Sequence, residues 1–437
     1  MPGLGQELYR KARKRIPGGT QLLSKRPEML LPEQWPTYYS RASGSQIWDL
    51  DGNRYVDMSY SGIGSCILGY ADPDVDAAVH AAIDTGSMST LNCAEEVDLA
   101  DLLCEIHPWA EMVRYARGGG DAMAVAVRIA RAHTRRDKVA FCGYHGWHDW
   151  YLAANVGSNN ALGDHLLPGL APNGVPRQLA GTAFPFHYNR IDELKAIVQV
   201  HGKELAAIVM EPIRNQLPQD GFLQEVREIA NRNGSVLVFD EVTSAWRLNS
   251  GGAHLLYGVS PDIAVFAKAI SNGYPMAAII GTGTVMQAAQ QSFISSTYWT
   301  ERIGPAAALA TIKKHRVRNV SARLLSTGKK IQAAWQSAAE QTGLALTVSG
   351  IPPLAHFSLH AEDAQAARTL FTQLMLERGF LASNAFYATY AQSDEDIEQY
   401  SAAVMEAFRE LAQATETDTV KKLLKGPVAH VGFFRLT

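Results

Sequence analysis

Between Met112 and Phe239 the chain alternates short, mostly apolar runs with stretches of helical spacing. The runs Met112–Tyr115, Lys138–Cys142, Ala206–Met210 and Val236–Phe239 are compact and close to continuous in apolar character, as expected of strands buried on both faces. Between them, Ala122–His133, Ile191–Val200 and Gln224–Asn231 repeat apolar residues every three or four positions, which predicts helices. Strands and helices alternating at this interval predict a largely parallel sheet covered on both sides. In such sheets ligands sit beyond the carboxyl ends of the strands. Every polar residue directly after one of these runs is therefore a candidate for chemistry.

The flanks read differently. Residues 1 to about 45 are broken by Pro17, Gly18, Gly19, Pro27, Pro32 and Pro36, which predicts a lead helix and an extended arm. Gln46–Asp57 places apolar pieces on both sides of Asp51-Gly52-Asn53, a hairpin pattern. Ala77–Ile83 and Glu95–Ile106 have helical spacing. Asn155–Phe186 has no period and reads as a functional loop or lid. After Pro305 a helix is expected to about His315, bridging to a region that mixes strands (Leu346–Val348, His356–Leu359) with a helix (Ala364–Arg378). The expected division is an arm and hairpin at 1–70 that join the small domain, a large domain at 71–312 and a small α+β domain at 313–437.

Composition narrows the function classes. The 437 residues are 47% hydrophobic and 19% charged, ample for a large core, and the net charge of -3 gives no general attraction to nucleic acid or an anionic membrane. The basic run Arg10–Arg15 reads as a solvated helix face. Cys66, Cys93, Cys104 and Cys142 show no CxxC or metal-ligand spacing and read as thiols in a reducing compartment. With no signal-like segment and no run of about eighteen apolar residues, a cytoplasmic location is expected.

Six segments carry candidate chemistry. In SPDIAVFAKAISNGYP the apolar run Ile263–Ala267 ends on Lys268. A lysine drawn into apolar surroundings is disfavoured as a cation, and when neutral it is a nucleophile suited to a Schiff base with an aldehyde such as pyridoxal phosphate. A lysine snorkelling from an element's end is the ordinary alternative. In VLVFDE, Asp240 and Glu241 point to opposite faces, and a carboxylate at a strand end needs a cation or donors. The cation of a protonated pyridine would serve, and so would a helix N-terminus or a metal. RGGGDA, Arg117–Ala122, offers a close backbone approach and free helix N–H groups to a phosphate, or is a tight turn without ligand. It has neither the GxGxxG nor the Walker pattern. GYHGWHD, Gly143–Asp149, places an aromatic at a strand end for stacking, Tyr144 first and His145 second. His145 and His148 lack a third neighbouring ligand, so no metal is expected. Glu211 and the hydroxyl of Thr297 in SSTYWTERIGP complete the set.

In this order RGGGDA, GYHGWHD, MEP, VFDEV, FAKAISNGYP and the Thr297 segment resemble the class III aminotransferases, and among them glutamate-1-semialdehyde aminomutase. The likeness runs from RIPGG at Arg15 to the segment Phe380–Ile397. It implies an α/β, fold type I pyridoxal-phosphate transferase, with a mainly parallel seven-stranded sheet and a smaller α+β domain. It implies that Lys268 holds the cofactor and shuttles a proton, Asp240 pairs with the pyridine nitrogen and Val242 packs beneath the ring. By the same resemblance Gly119 and Gly120 bind the phosphate, Tyr144 stacks with His145 beside it, and Glu211 and Gln216 line the oxygen side. Thr297 would reach the phosphate of a second subunit in a homodimer.

The departures bear on substrate. Gly118-Gly119-Gly120-Asp121 stands where the family has Ser-Gly-Thr-Glu, so backbone amides carry more of the phosphate binding. Ser24, beside Lys25, occupies the place of the aminomutase's carboxylate-binding arginine, and Tyr387 that of its glutamate. These losses point away from glutamate-1-semialdehyde, and STYWTERIGP, with NGYPMAAIIG before it, resembles members that aminate keto-sugars or cyclic ketones, a group to which a cyclic keto-acid such as 3-dehydroshikimate belongs. Trp147, Trp246, Trp299 and Tyr387 are candidates for the walls of a pocket for a ring, and Arg247 or Arg302 for holding a carboxylate. The expected activity is transfer of an amino group from a donor such as glutamate to a ketone. An intramolecular aminomutase is the alternative within the family, and a non-catalytic pyridoxal-phosphate-binding protein the alternative outside enzymes.

Overall fold

The computed structural model describes residues 3–158, 160–213 and 215–433. Asn159, in the expected loop, and Arg214, beside Glu211, lie outside them. The chain divides into two compact units, residues 73–321 and residues 1–72 with 322–437. In chain order the strands are β1 (Tyr39–Ser43), β2 (Gln46–Asp49), β3 (Arg54–Asp57), β4 (Met112–Ala116), β5 (Lys138–Cys142), β6 (Ala183–Pro185), β7 (Leu205–Met210), β8 (Val236–Asp240), β9 (Ile263–Phe266), β10 (Ala277–Gly281), β11 (Leu346–Ser349), β12 (Leu354–Leu359), β13 (Phe380–Leu381) and β14 (Ala385–Tyr387).

Unit 73–321 is built on a seven-stranded sheet in the order β4-β10-β9-β8-β7-β5-β6. Strands β5 to β9 run parallel, and only β10 is antiparallel to its neighbours β9 and β4. The fold class expected from the resemblance is the one found. Two strands lie where the apolar pattern predicts none. β6 falls inside the expected loop, and β10 is a short run of small and branched residues (AAIIG) after a turn.

Strand parity determines what reaches the sheet's carboxyl edge. In β7, Ala207 and Val209 join the core that includes Met123, Val127 and Ala130 of the helix Gly119–Thr134. Ile208 and Met210 join the opposite core with Leu194, Val226 and Ile229 of the helices Ile191–His201 and Phe222–Asn233. β8 repeats this, with Val236 and Val238 on the first side and Leu237 and Phe239 on the second. Side chains alternate faces, so Asp240 continues the Val238 row, Glu211 the Val209 row and Gly143 the Phe141 row. The register keeps these rows level: Phe141 pairs with Val209, Val209 with Val238, and Asp240 with Val265. Three strand ends therefore converge on the side that carries the helix Gly119–Thr134. Glu241 is sent to the other face.

In the other unit, β1, β2 and β3 form an antiparallel meander to which β13 adds in parallel, and β11, β12 and β14 form a second sheet. The β2–β3 turn closes because the Asp49 carboxylate accepts from the amides of Asp51 (2.9 Å) and Asn53 (2.8 Å). The helix Asp394–Glu416 starts with a reciprocal Ser393–Asp396 capping box. In the lead helix Leu4–Arg13, Ala12 is buried while Arg10, Lys11 and Arg13 are exposed, as are Lys14 and Arg15 just beyond its end. Among the described residues no helix is long and apolar enough to cross a membrane.

Two buried histidines make stability depend on pH. His107 donates from Nδ1 to the Leu103 carbonyl and accepts the Gly252 amide at Nε2, both at 2.9 Å, so its ring is held neutral. His315 lies 2.9 Å from the Trp246 carbonyl and 3.0 Å from the Ser250 hydroxyl. Burial pushes both pKa values down to about 4. Between that value and the ordinary 6.5, the unfolded chain binds more protons, so stability falls as pH drops through this window and is complete above it. Urea unfolding at pH 5 should show a loss of up to about 2 kcal/mol per ring relative to pH 7.5. An unchanged midpoint would mean that these rings protonate in the folded state at no cost.

Candidate functional site

Lys268 is separated from the end of β9 by Ala267 and opens a 3-10 turn, Lys268–Ser271. Its φ of 49° lies in the left-handed region, which costs a non-glycine residue about 1 kcal/mol or more and is concentrated at functional sites. The Nζ donates to the Thr243 hydroxyl at 2.8 Å. The helix Ile303–Val317 packs against this turn.

Asp240 is 4% exposed. Its Oδ1 accepts the Val242 amide at 3.0 Å, and its Oδ2 lies 2.8 Å from His145 Nδ1. The other nitrogen of His145 is 2.9 Å from the Cys142 carbonyl. His145 is thus sealed between β5 and the Asp240 carboxylate. Tyr144 is half-buried, with its ring edge-on to Tyr151 at 5.9 Å.

The glycine segment forms the start of the helix Gly119–Thr134, with Gly118 as an N-cap that offers no side-chain acceptor. The first-turn N–H groups of such a helix lack intrahelical partners and favour an anion. A Cβ on Gly119 would sit 3.1 Å from Val242 Cγ1, and one on Gly146, whose φ is 98°, would sit 2.8 Å from Gly120 Cα. The backbones of the two motifs therefore pack directly on each other. Gly146→Ala should separate them, weakening cofactor binding by roughly 10-fold or more and stability by about 1–3 kcal/mol, as read by cofactor titration and urea unfolding. Asp121 would oppose an anion here, but its carboxylate is drawn to His148 Nε2 at 3.1 Å.

Glu211 is buried, and its Oε2 would lie 2.9 Å from a Cβ on Gly143, a residue with φ of 104° that tolerates this approach. Beside it is a cavity of about 240 Å³ whose wall includes Asp164, His165, His187, Tyr188, Asn215 and Gln216. His165 Nδ1 accepts the Gly143 amide at 3.3 Å, and burial, with His187 nearby, pushes its pKa down to about 4. Trp147 is exposed, with its indole against His148 at 4.4 Å.

Arg247 is in the core at 1% exposure, where its Nε donates to the Thr243 carbonyl at 3.2 Å, so it stands behind Thr243. Trp246 is also core, packed on Phe266. Arg302 is engaged by Glu95 at 2.7 Å. Thr297 is exposed and opens a short turn, Thr297–Thr300. Ser24 and Lys25 lie exposed in a turn of the other unit. Tyr387, in the same unit, is half-buried at the end of β14, with its ring edge-on to Tyr60 at 5.4 Å.

Several contributing residues escape sequence reasoning. Thr243, the acceptor for Lys268, follows VFDEV without a distinguishing pattern. His165 and His187 come from the aperiodic stretch and the segment after it. On the opposite face, burial opposes ionisation of Glu241, but hydrogen bonds from His254 and Ser244 outweigh it and lower its pKa. His254 in turn accepts the Trp109 indole N–H at 2.9 Å. That network anchors residues 241–254 from behind.

Comparison with known proteins agrees with this geometry. Residues 32–406 match the family model described as Aminotransferase class-III. The 3-aminobutyryl-CoA aminotransferase of Cloacimonas acidaminovorans is 32% identical over 420 residues, covering 92% of this chain and 96% of that protein. The 2'-deamino-2'-hydroxyneamine transaminase of Streptomyces kanamyceticus is 30% identical over 375 residues, covering 85% and 91%. The solved PLP internal aldimine form of the FumI protein of Sphingopyxis sp. MTA144 shares the fold, with a TM-score of 0.86 at 24% identity over 95% of this chain and 98% of that one.

Proposed function

Because the chain belongs to the class III aminotransferases, enzymes that use pyridoxal phosphate to move amino groups between small molecules, we propose that it takes the amino group of an amino acid such as glutamate and delivers it to a hydroxylated cyclic ketone. A keto-sugar or a cyclic keto-acid such as 3-dehydroshikimate fits that description. The residues present suit the cofactor: one lysine amine, one strand-end carboxylate and a glycine cradle that a single Cβ would crowd. When bound, pyridoxal phosphate supplies an electrophilic carbon and an electron sink that weakens the neighbouring C–H bond.

Each side chain then has a defined task. Lys268 acts as nucleophile through Nζ and carries the proton, with the Thr243 hydroxyl orienting the amine. Asp240, held by His145 and the Val242 amide, would present its carboxylate to a ring nitrogen. Gly119 and Gly120 offer amides to the phosphate, Tyr144 and Val242 serve the two ring faces, and Glu211 and Gln216 the oxygen side. The observation that favours a hydroxylated acceptor is the cavity beside Glu211, whose wall is rich in hydrogen-bonding groups. The relative named as a 2'-deamino-2'-hydroxyneamine transaminase supports the same substrate class.

The test uses protein converted to its amine form with glutamate. A panel of keto-sugars, cyclic keto-acids and straight-chain ketones is offered, and return of the visible absorption of the aldehyde form is read. Hydroxylated cyclic ketones should restore it fastest, by about 10-fold or more over apolar ketones of equal size. Faster recovery with apolar ketones would refute this substrate class, and absence of any conversion by glutamate or other donors would favour a mutase.

We also infer a homodimer with Thr297 directed to the partner's phosphate. Phe293 at 88%, Leu91 at 82% and Tyr298 at 74% exposure are large apolar side chains left on the surface, two of them flanking Thr297. Sedimentation should give twice the chain mass at micromolar concentration; a monomer that retains full activity would exclude the shared site.

A further inference from the structure

Arg117 directly precedes the glycine loop, and nothing in the chemistry above uses it. Its side chain is only 12% exposed, and the guanidinium makes a forked contact with Glu301: Nε donates to Glu301 Oε1 at 2.7 Å and Nη2 to the Glu301 carbonyl at 2.7 Å. Nη1 donates to its own strand at the Ala116 carbonyl, 3.0 Å away. Glu301 is equally committed. Oε2 accepts the Ile303 amide at 2.7 Å and Oε1 the Gly304 amide at 2.9 Å, so the carboxylate also caps the helix Ile303–Val317. That helix packs on the Lys268–Ser271 turn, and Glu301 itself ends the Thr297–Thr300 turn.

We propose that Arg117 and Glu301 form a positioning clamp that keeps the glycine loop in register with both the Lys268 turn and the Thr297 turn, and so sets how tightly the cofactor is retained. This rests on the proposed phosphate position at Gly119 and Gly120. The physical need is specific to this chain. Gly118-Gly119-Gly120 contributes no side chain to a phosphate, and three consecutive glycines at a helix start are conformationally permissive. Amides bind an anion well only when already aligned. A planar fork with two fixed acceptors, largely out of water, supplies that alignment at the residue where the loop begins.

The experiment measures cofactor dissociation from holoenzyme carrying Arg117→Met, Glu301→Gln, both changes, or Arg117→Lys. Each single change should raise the dissociation constant for pyridoxal phosphate by about 10-fold or more, and the double should be no weaker than the weaker single, because both remove one interaction. Arg117→Lys keeps charge but not the fork and should recover part of the loss. At saturating cofactor the visible band should keep its position. Pyridoxal, which lacks the phosphate, should bind these variants as it binds the unaltered protein. Gly119→Ala separates the two readings. If it weakens the phosphate-bearing cofactor while Arg117→Met and Glu301→Gln do not, the clamp is wrong and the phosphate position stands. If neither kind of change matters, both fail. A loss shared equally by pyridoxal, or one that tracks a fall in the melting temperature of the apoprotein across all four variants, overturns the clamp as a phosphate-positioning device.

Discussion

Lys268→Ala should leave less than about one-thousandth of the transamination rate, since it removes both the nucleophile and the proton carrier, each a contribution of roughly 10²–10⁴. The protein should still fold. Lys268 has a backbone φ of 49°, and alanine at the same φ is strained no more than lysine. The Thr243 hydroxyl, itself buried, loses its donor, which costs about 1–3 kcal/mol. The variant should bind the cofactor reversibly without the visible band of a lysine-linked form. Small primary amines added to the assay should restore a measurable fraction of the rate, because a free amine can carry the proton that Lys268 no longer does. Persistence of the band, or more than about a tenth of the activity, would reassign the nucleophile.

Asp240→Asn should cost about 10²–10³ in rate while barely changing the shape of the site. Asparagine keeps an oxygen for the Val242 amide but has no charge with which to hold a proton on a ring nitrogen. The effect should fall on the turnover step rather than on donor KM, because the carboxylate faces the cofactor's end of the site. His145→Asn supplies the comparison. It leaves the charge but loosens its orientation, so a loss of roughly 10-fold is expected. If His145→Asn is as damaging as Asp240→Asn, the histidine takes part directly and the carboxylate is not the sole holder of the charge.

The sheet was legible because its strands are buried on both faces and therefore nearly free of polar residues. The runs that became β5, β7, β8 and β9 stand out for that reason, which made Glu211, Asp240 and Lys268 candidates by position, while their roles were implied by the family resemblance. Side-chain direction was legible only in part. Parity separates Asp240 from Glu241, but the sequence does not say which face carries the helix Gly119–Thr134. The start of that helix was hidden because Gly119 and Gly120 are poor helix formers, and helical spacing becomes apparent only from Ala122. Arg247 misled for a physical reason: a guanidinium can be fully buried when main-chain carbonyls receive it, and no local pattern announces that. The partnerships Lys268–Thr243 and Arg117–Glu301 join residues 25 and 184 positions apart, distances at which spacing carries no information.

The neighbours Asp240 and Glu241 are both carboxylates, both buried, and serve opposite sides of one strand. A single-residue deletion within Val236–Phe239 would exchange them, turning the longer acid toward Lys268 and leaving the shorter one beside His254. Composition would hardly change, yet the reading frame of the pleat would. Length changes in β8 are thus barred far more strictly than substitutions, and a library that varies its residues without varying their count should retain many folded members, whereas one that shifts the count should retain almost none.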